Sequence, residues 1–88
     1  MIERRVTVIN PLGLHARAAA RFVKLAAQFT SKIVVTRGSR AVDGKSILGL
    51  LLLAAARGSD LGVSADGADE SAALAALCSL IERGFEDP

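Results

Sequence analysis

Residues 2–30 read IERRVTVINPLGLHARAAARFVKLAAQFT, and the period of this stretch changes halfway along it. In the first part Ile2, Arg4, Val6 and Val8 alternate with Glu3, Arg5, Thr7 and Ile9, and β-branched residues are frequent. Alternation of this kind predicts a half-buried strand over residues 2–9. Asn10-Pro11-Leu12-Gly13 interrupts it with turn-forming residues. From Ala16 onward Ala19, Phe22, Val23, Ala26 and Phe29 or Thr30 share one helical face, while Arg17, Arg21, Lys24 and Gln28 fall mostly outside it. The prediction is an amphipathic helix that follows the strand directly and lies on it.

The same two periods organise the rest of the chain. Lys32–Thr36 and Arg40–Asp43 read as short strands joined by Arg37-Gly38-Ser39, the simplest connection being a hairpin. Ile47–Ala56 is too rich in Leu and Ala for a preferred strand and predicts a helix entered at Ser46 and closed near Arg57-Gly58. Leu61, Val63 and Ala65 alternate as a fourth strand, and Asp66-Gly67 turns the chain. Ala73, Leu77, Leu80 and Ile81 mark a last helix, with Asp69 and Glu70 at its start and Arg83-Gly84 at its end, as the helix dipole prefers. The order β-α-β-β-α-β-α predicts two layers, with helices covering one face of a sheet.

Composition narrows what such a fold can do. The 88 residues are expected to form one domain, 1–88, with no room for a second catalytic or cofactor domain. Sixteen residues are Ala and three are aromatic, so the core is expected to be thin and the chemistry to lie at the surface. The single cysteine, Cys78, excludes an internal disulfide framework and any multi-cysteine zinc site, and is expected to pack in the last helix. With one His and no clustered ligands, neither metal nor cofactor is expected. The apolar run Ile47–Ala56 is half the length of a bilayer span, and MIERRVTV contains no apolar signal segment. A cytoplasmic protein without membrane insertion is the expectation.

The start of the first helix breaks the usual rules. His15 stands at the N-cap, where Ser, Thr, Asp or Asn would normally satisfy the free N–H groups. The next turn, Ala16-Arg17-Ala18-Ala19, has one cation and no acid. A positive helix end beside an Arg, with no internal anion, is an unfilled anion site, and an imidazole beside it is a potential nucleophile. A phosphoryl group on His15 would meet the Arg17 guanidinium and backbone N–H groups without a metal. These residues alone equally allow a loop histidine beside a solvated arginine.

Ser46 also has two readings, an N-cap before Ile47 and a phosphorylation site at a helix start, and one hydroxyl can serve as both. Gly44-Lys45-Ser46 imitates the end of a P-loop, but five residues separate Gly38 from Gly44 where four are required, which excludes ATP binding by that motif. Ile47, Leu48 and Leu50–Leu53 are more apolar than one buried helical face needs, so part of this group, near Ile47, Leu48 and Leu51, is expected to stay exposed and dock a partner.

Asn10-Pro11-Leu12-Gly13-Leu14-His15-Ala16-Arg17 resembles the active-site segment of the HPr phosphocarrier family of the bacterial phosphoenolpyruvate phosphotransferase system. Lys45-Ser46-Ile47 with its Leu run and Gly58, and Ala65-Asp66-Gly67-Ala68-Asp69-Glu70, extend the resemblance over essentially the whole chain. The resemblance implies an α+β, two-layer open-faced sandwich, βαββαβα, whose four-stranded antiparallel sheet has the order 1-4-2-3 and carries three helices on one face. It implies that His15 accepts phosphate on Nδ1 from phosphorylated enzyme I and passes it to IIA-type proteins. In this scheme Arg17 and the Ala16 and Arg17 N–H groups hold the phosphoryl group. Ser46 corresponds to the residue modified by HPr kinase/phosphorylase with ATP. Ala20, Arg21, Lys24, Ile47, Leu48, Leu51 and Leu52 correspond to a docking surface shared by donor and acceptor. Such a protein is a relay component, expected as a monomer with no turnover of its own. Ala18 departs from the family pattern, which has Pro there. Gly84-Phe85-Glu86-Asp87 is more similar to the nitrogen-related branch than to the sugar branch, whereas Ser46 and its Leu-rich context resemble members linked to a kinase.

Charge is unevenly divided. Residues 1–57 hold ten bases and two acids, a net +8, whereas residues 58–88 hold one base and seven acids, a net −6. A small basic nucleic-acid-binding domain is the competing class, and it is disfavoured by the absence of aromatic residues from the predicted strands and of a GxxG loop. The expectation is that Arg17, Arg21, Lys24 and Lys45 lie close together around His15 and the Leu-rich helix, and that the acids lie mainly on the last strand and helix, away from that face.

Overall fold

The computed structural model describes residues 1–87 and has the elements β1 (Ile2–Thr7), α1 (Ala16–Ala26), β2 (Lys32–Arg37), β3 (Arg40–Asp43), α2 (Ile47–Leu52), β4 (Asp60–Asp66) and α3 (Glu70–Glu82). A short 3-10 turn, Gly84–Glu86, follows α3. The four strands form one antiparallel sheet in the order β1-β4-β2-β3. This is the α+β sandwich implied by the sequence resemblance.

Alternation puts Val6 of β1, Ile33 and Val35 of β2, and Leu61, Val63 and Ala65 of β4 in the buried core. There they meet Phe22 of α1, Leu50 of α2 and Leu77, Cys78 and Ile81 of α3. Ala18, Ala19 and Ala26 of α1 are fully buried, so small side chains let this helix approach closely. Ala18 at the family's proline position leaves α1 intact from Ala16, as its high helix propensity requires. Burial pushes the Cys78 thiol pKa up, and the residue packs in the core as expected.

Three element ends differ from the sequence reading by two residues or more, the first being α1, which closes at Ala26 before reaching Phe29 or Thr30. Strand β1 closes at Thr7, and Val8 instead donates to Ser59 O and accepts from Gly58 N in the loop before β4. Helix α2 stops at Leu52, well short of Ala56. Arg40 Nη1 donates to Leu52 O at 2.7 Å and Arg37 Nη1 to Leu53 O at 3.1 Å, which satisfies carbonyls at the helix end. Ala54 then takes φ +50, and Ala55 O accepts the Leu14 N–H at 2.9 Å. The segment expected to continue the helix therefore clamps the loop that carries His15. Gly13, at φ +65, is required by this clamp, since a Cβ there would strike the Ala55 carbonyl.

Candidate functional site

The loop before α1 is built to fix one residue. Gly13 N–H donates to Asn10 O, His15 N–H donates to Gly13 O, and the buried Asn10 donates its Nδ2 to Gly13 O at 2.8 Å. His15 is the N-cap of α1 in extended backbone (φ −85, ψ 179), and its carbonyl accepts the Ala19 N–H. Its side chain makes no cap, so the ring is held by something else.

That partner is Asp87. His15 Nε2 lies 2.5 Å from Asp87 Oδ2. Asn10 Nδ2 donates to the same oxygen at 3.0 Å, while Arg21 Nη1 at 3.2 Å and Arg17 Nε at 3.4 Å donate to Oδ1. The Asp87 side chain is only 3 % exposed. The hydrogen bond from His15 is the main influence holding its carboxyl below the usual pKa, aided by Asn10 and by the charges of His15 and Arg17 against the opposing effect of burial. A carboxylate only accepts, so Nε2 carries the ring proton and the lone pair of a neutral His15 is on Nδ1. Ala16 and Arg17 N–H have no acceptor among the described residues.

Asp87 thus takes the side-chain half of the anion site, at Arg17 and Arg21, and brings one acid of the acidic segment onto the basic face, while the helix-end N–H groups stay open. The tail reaches it through Gly84, Phe85 and Glu86, with φ of +70, +56 and +61. Left-handed backbone at a non-glycine residue costs roughly 1–2 kcal/mol. Complete burial of Phe85, worth about 1.5–3 kcal/mol, and a 2.8 Å bond from Arg21 Nη1 to Phe85 O offset that strain. Nothing in a Gly-Phe-Glu-Asp string signals such a turn, so the role of Asp87 is not legible in the sequence.

The remaining candidates divide between two helices in contact, α1 and α2. Ala20 and Lys24 are exposed on α1, and Arg21 is half-buried over the tail. On α2, Ile47, Leu48, Leu51 and Leu52 are all exposed, Leu48 by 68 %, while Leu50 and Leu53 are buried. The excess of apolar residues is therefore at the surface, as the sequence suggested. Ser46 is the N-cap of α2, its Oγ accepting the Gly49 N–H at 3.0 Å. Lys45 does not join His15: its Nζ donates to Phe29 O, beyond the far end of α1, a helix about 16 Å long.

A family model described as "PTS HPr component phosphorylation site" matches residues 2–83. This chain belongs to the HPr family. The phosphocarrier protein HPr of Neisseria meningitidis serogroup A is 47% identical over 85 residues, covering 97% of this chain and 96% of the relative. The phosphocarrier protein NPr of Shewanella violacea is 40% identical over 86 residues, covering 98% and 94%. The crystal structure of HPr-C-His from Thermoanaerobacter tengcongensis has a TM-score of 0.95 at 41% identity, covering 100% of this chain and 99% of that one. Membership places the chain among the phosphocarriers of the phosphotransferase system. Among the described residues no helix is long and apolar enough to cross a membrane.

Proposed function

We propose that this chain carries a phosphoryl group on His15 Nδ1 between phosphorylated enzyme I and IIA-type proteins in the cytoplasm, as one step of a relay without turnover of its own. The carrying observation is the Asp87 carboxylate on Nε2, which leaves the Nδ1 lone pair as the nucleophile. That lone pair forms the bond to phosphorus while the bond from phosphorus to the donor's leaving atom breaks; transfer onward reverses the roles at His15. Arg17 turns part of its guanidinium from Asp87 to the phosphoryl oxygens, and the Ala16 and Arg17 N–H groups complete the cradle. No metal or cofactor enters the step.

Ala20, Arg21, Lys24, Ile47, Leu48, Leu51 and Leu52 form the docking surface in this reading, used in turn by donor and acceptor. Ser46 sits at its edge, and ATP-dependent phosphorylation by an HPr kinase/phosphorylase would put two negative charges beside exposed leucines. The likeness to an NPr supports a second output, a nitrogen-related regulatory relay, although the HPr relative has the higher identity. Incubation with phosphoenolpyruvate and enzyme I is expected to give acid-labile phosphate that His15→Ala abolishes; label persisting in that variant overturns the assignment. Acid-stable phosphate from ATP and the kinase is expected at Ser46 and lost in Ser46→Ala.

A further inference from the structure

An open cleft of about 600 Å³ lies at one end of the sheet and shares no lining residue with the His15 site. Its polar lining is Arg5, Arg37, Arg40, Ser39, Ser59 and Asp60. Arg37 and Arg40 face each other across the β2–β3 hairpin as register partners. Each commits one Nη1 to a carbonyl at the end of α2, which fixes the guanidinium while leaving its other N–H donors available. Arg5 makes no side-chain hydrogen bond or ion pair among the described residues. The one carboxylate, Asp60, accepts from Thr7 Oγ1 at 2.9 Å. Three guanidiniums against one acid give the cleft a net charge of +2, with two hydroxyls at hand.

We propose that this cleft binds a small metabolite bearing more than one phosphate group. Its volume falls within the roughly 300–1,000 Å³ usual for ligand clefts. Planar guanidiniums, two of them held by the protein, match phosphate oxygens in pairs. No aromatic side chain lines the cleft on which a nucleobase would stack, which argues against a nucleic-acid strand as the occupant.

Inorganic pyrophosphate titrated against the 15N-labelled protein tests this, with orthophosphate and with sodium chloride at matched ionic strength as comparisons. Saturable amide shifts at Ser39, Arg40 and Ser59 are expected with pyrophosphate, weaker binding with orthophosphate, and none with chloride. Arg5→Gln breaks no side-chain hydrogen bond or ion pair among the described residues and is expected to weaken pyrophosphate about tenfold while leaving enzyme I-dependent labelling of His15 unchanged. The Arg37→Gln/Arg40→Gln pair is expected to remove saturation altogether. Shifts reproduced by chloride, saturation confined to Ala16 and Arg17, or unchanged affinity in Arg5→Gln would each overturn the proposal.

Discussion

His15 and Asp87, 72 residues apart in sequence, meet through Nε2 and Oδ2 at 2.5 Å. The contact has two opposing consequences. It fixes the ring with the Nδ1 lone pair available, but in the proposed relay it also puts a negative charge where the incoming phosphoryl group would meet Arg17. Geometry decides between them. The bond to His15 is short and its acceptor side chain is almost fully covered, whereas the Arg17 contact is 3.4 Å long and its arginine side chain is 55% exposed. An exposed pair of that kind contributes little and is easily exchanged. Orientation is therefore the larger effect. Asp87→Ala is expected to slow phosphoryl acceptance from enzyme I about tenfold. Asp87→Asn, whose amide oxygen still accepts from Nε2, is expected to recover most of the rate. Faster labelling of Asp87→Ala would show instead that the carboxylate chiefly obstructs the site.

Acid should loosen this fold through two carboxylates. Asp69 accepts from Ser31 Oγ, Thr30 N and Ser31 N, and these bonds, the Ser31 hydroxyl first, lower its pKa from 3.8 to about 2. A folded-state pKa below the unfolded value means that the contribution is complete above 3.8 and disappears as pH falls through about 2. Asp87 is shifted in the same direction. The melting temperature, followed by circular dichroism from pH 6 downward, is expected to fall below pH 4. The gap between the wild type and Asp69→Asn should be widest above that point and close towards pH 2. A gap independent of pH would assign the effect of Asp69 to packing.

Ser46 separates stability from docking. Its hydroxyl caps a helix of only six residues. Ser46→Ala is expected to cost about 1 kcal/mol, a fall of roughly 4–8 °C in melting temperature, with labelling by enzyme I nearly unchanged. Ser46→Asp retains a side-chain acceptor for the Gly49 N–H and should melt near the wild type. Its charge next to Ile47 and Leu48 should slow labelling. Thermal melts and initial rates on the same two proteins check both halves.

Local signals carried the β1–α1 junction, where the period change is written in consecutive residues and the uncapped, acid-free helix start marks His15. The exposed leucines were legible as well, because six large apolar residues exceed what a short helix can bury. Tertiary contacts set the rest. Helix α2 ends where Arg37 and Arg40 take its carbonyls and where Ala55 is needed by Leu14, and no residue between 53 and 56 announces this. The Asp87 site depends on left-handed backbone at Phe85 and Glu86, residues that rarely adopt it, and on a hydrogen bond spanning most of the chain. The basic, acid-free start of α1 meets an anion of the chain itself, Asp87, at Arg17 and Arg21.

The two faces of α2 should respond in opposite ways to substitution. Leu48 is 68 % exposed and Leu50 is 1 % exposed, although they lie two residues apart. Leu48→Asp removes no core contact, so its stability should stay within about 0.5 kcal/mol of the wild type. In the proposed docking, a carboxylate in the apolar patch must be desolvated against enzyme I. The concentration of enzyme I needed for half-maximal labelling should therefore rise while the limiting rate holds. Leu50→Ala leaves a cavity against the sheet and should cost roughly 2–5 kcal/mol. Measured below its lowered melting temperature, it should dock with near-normal affinity because the outward face is unaltered. Equal docking defects in the two variants would mean that α2 acts through its position in the fold, and the exposed leucines would no longer account for partner binding.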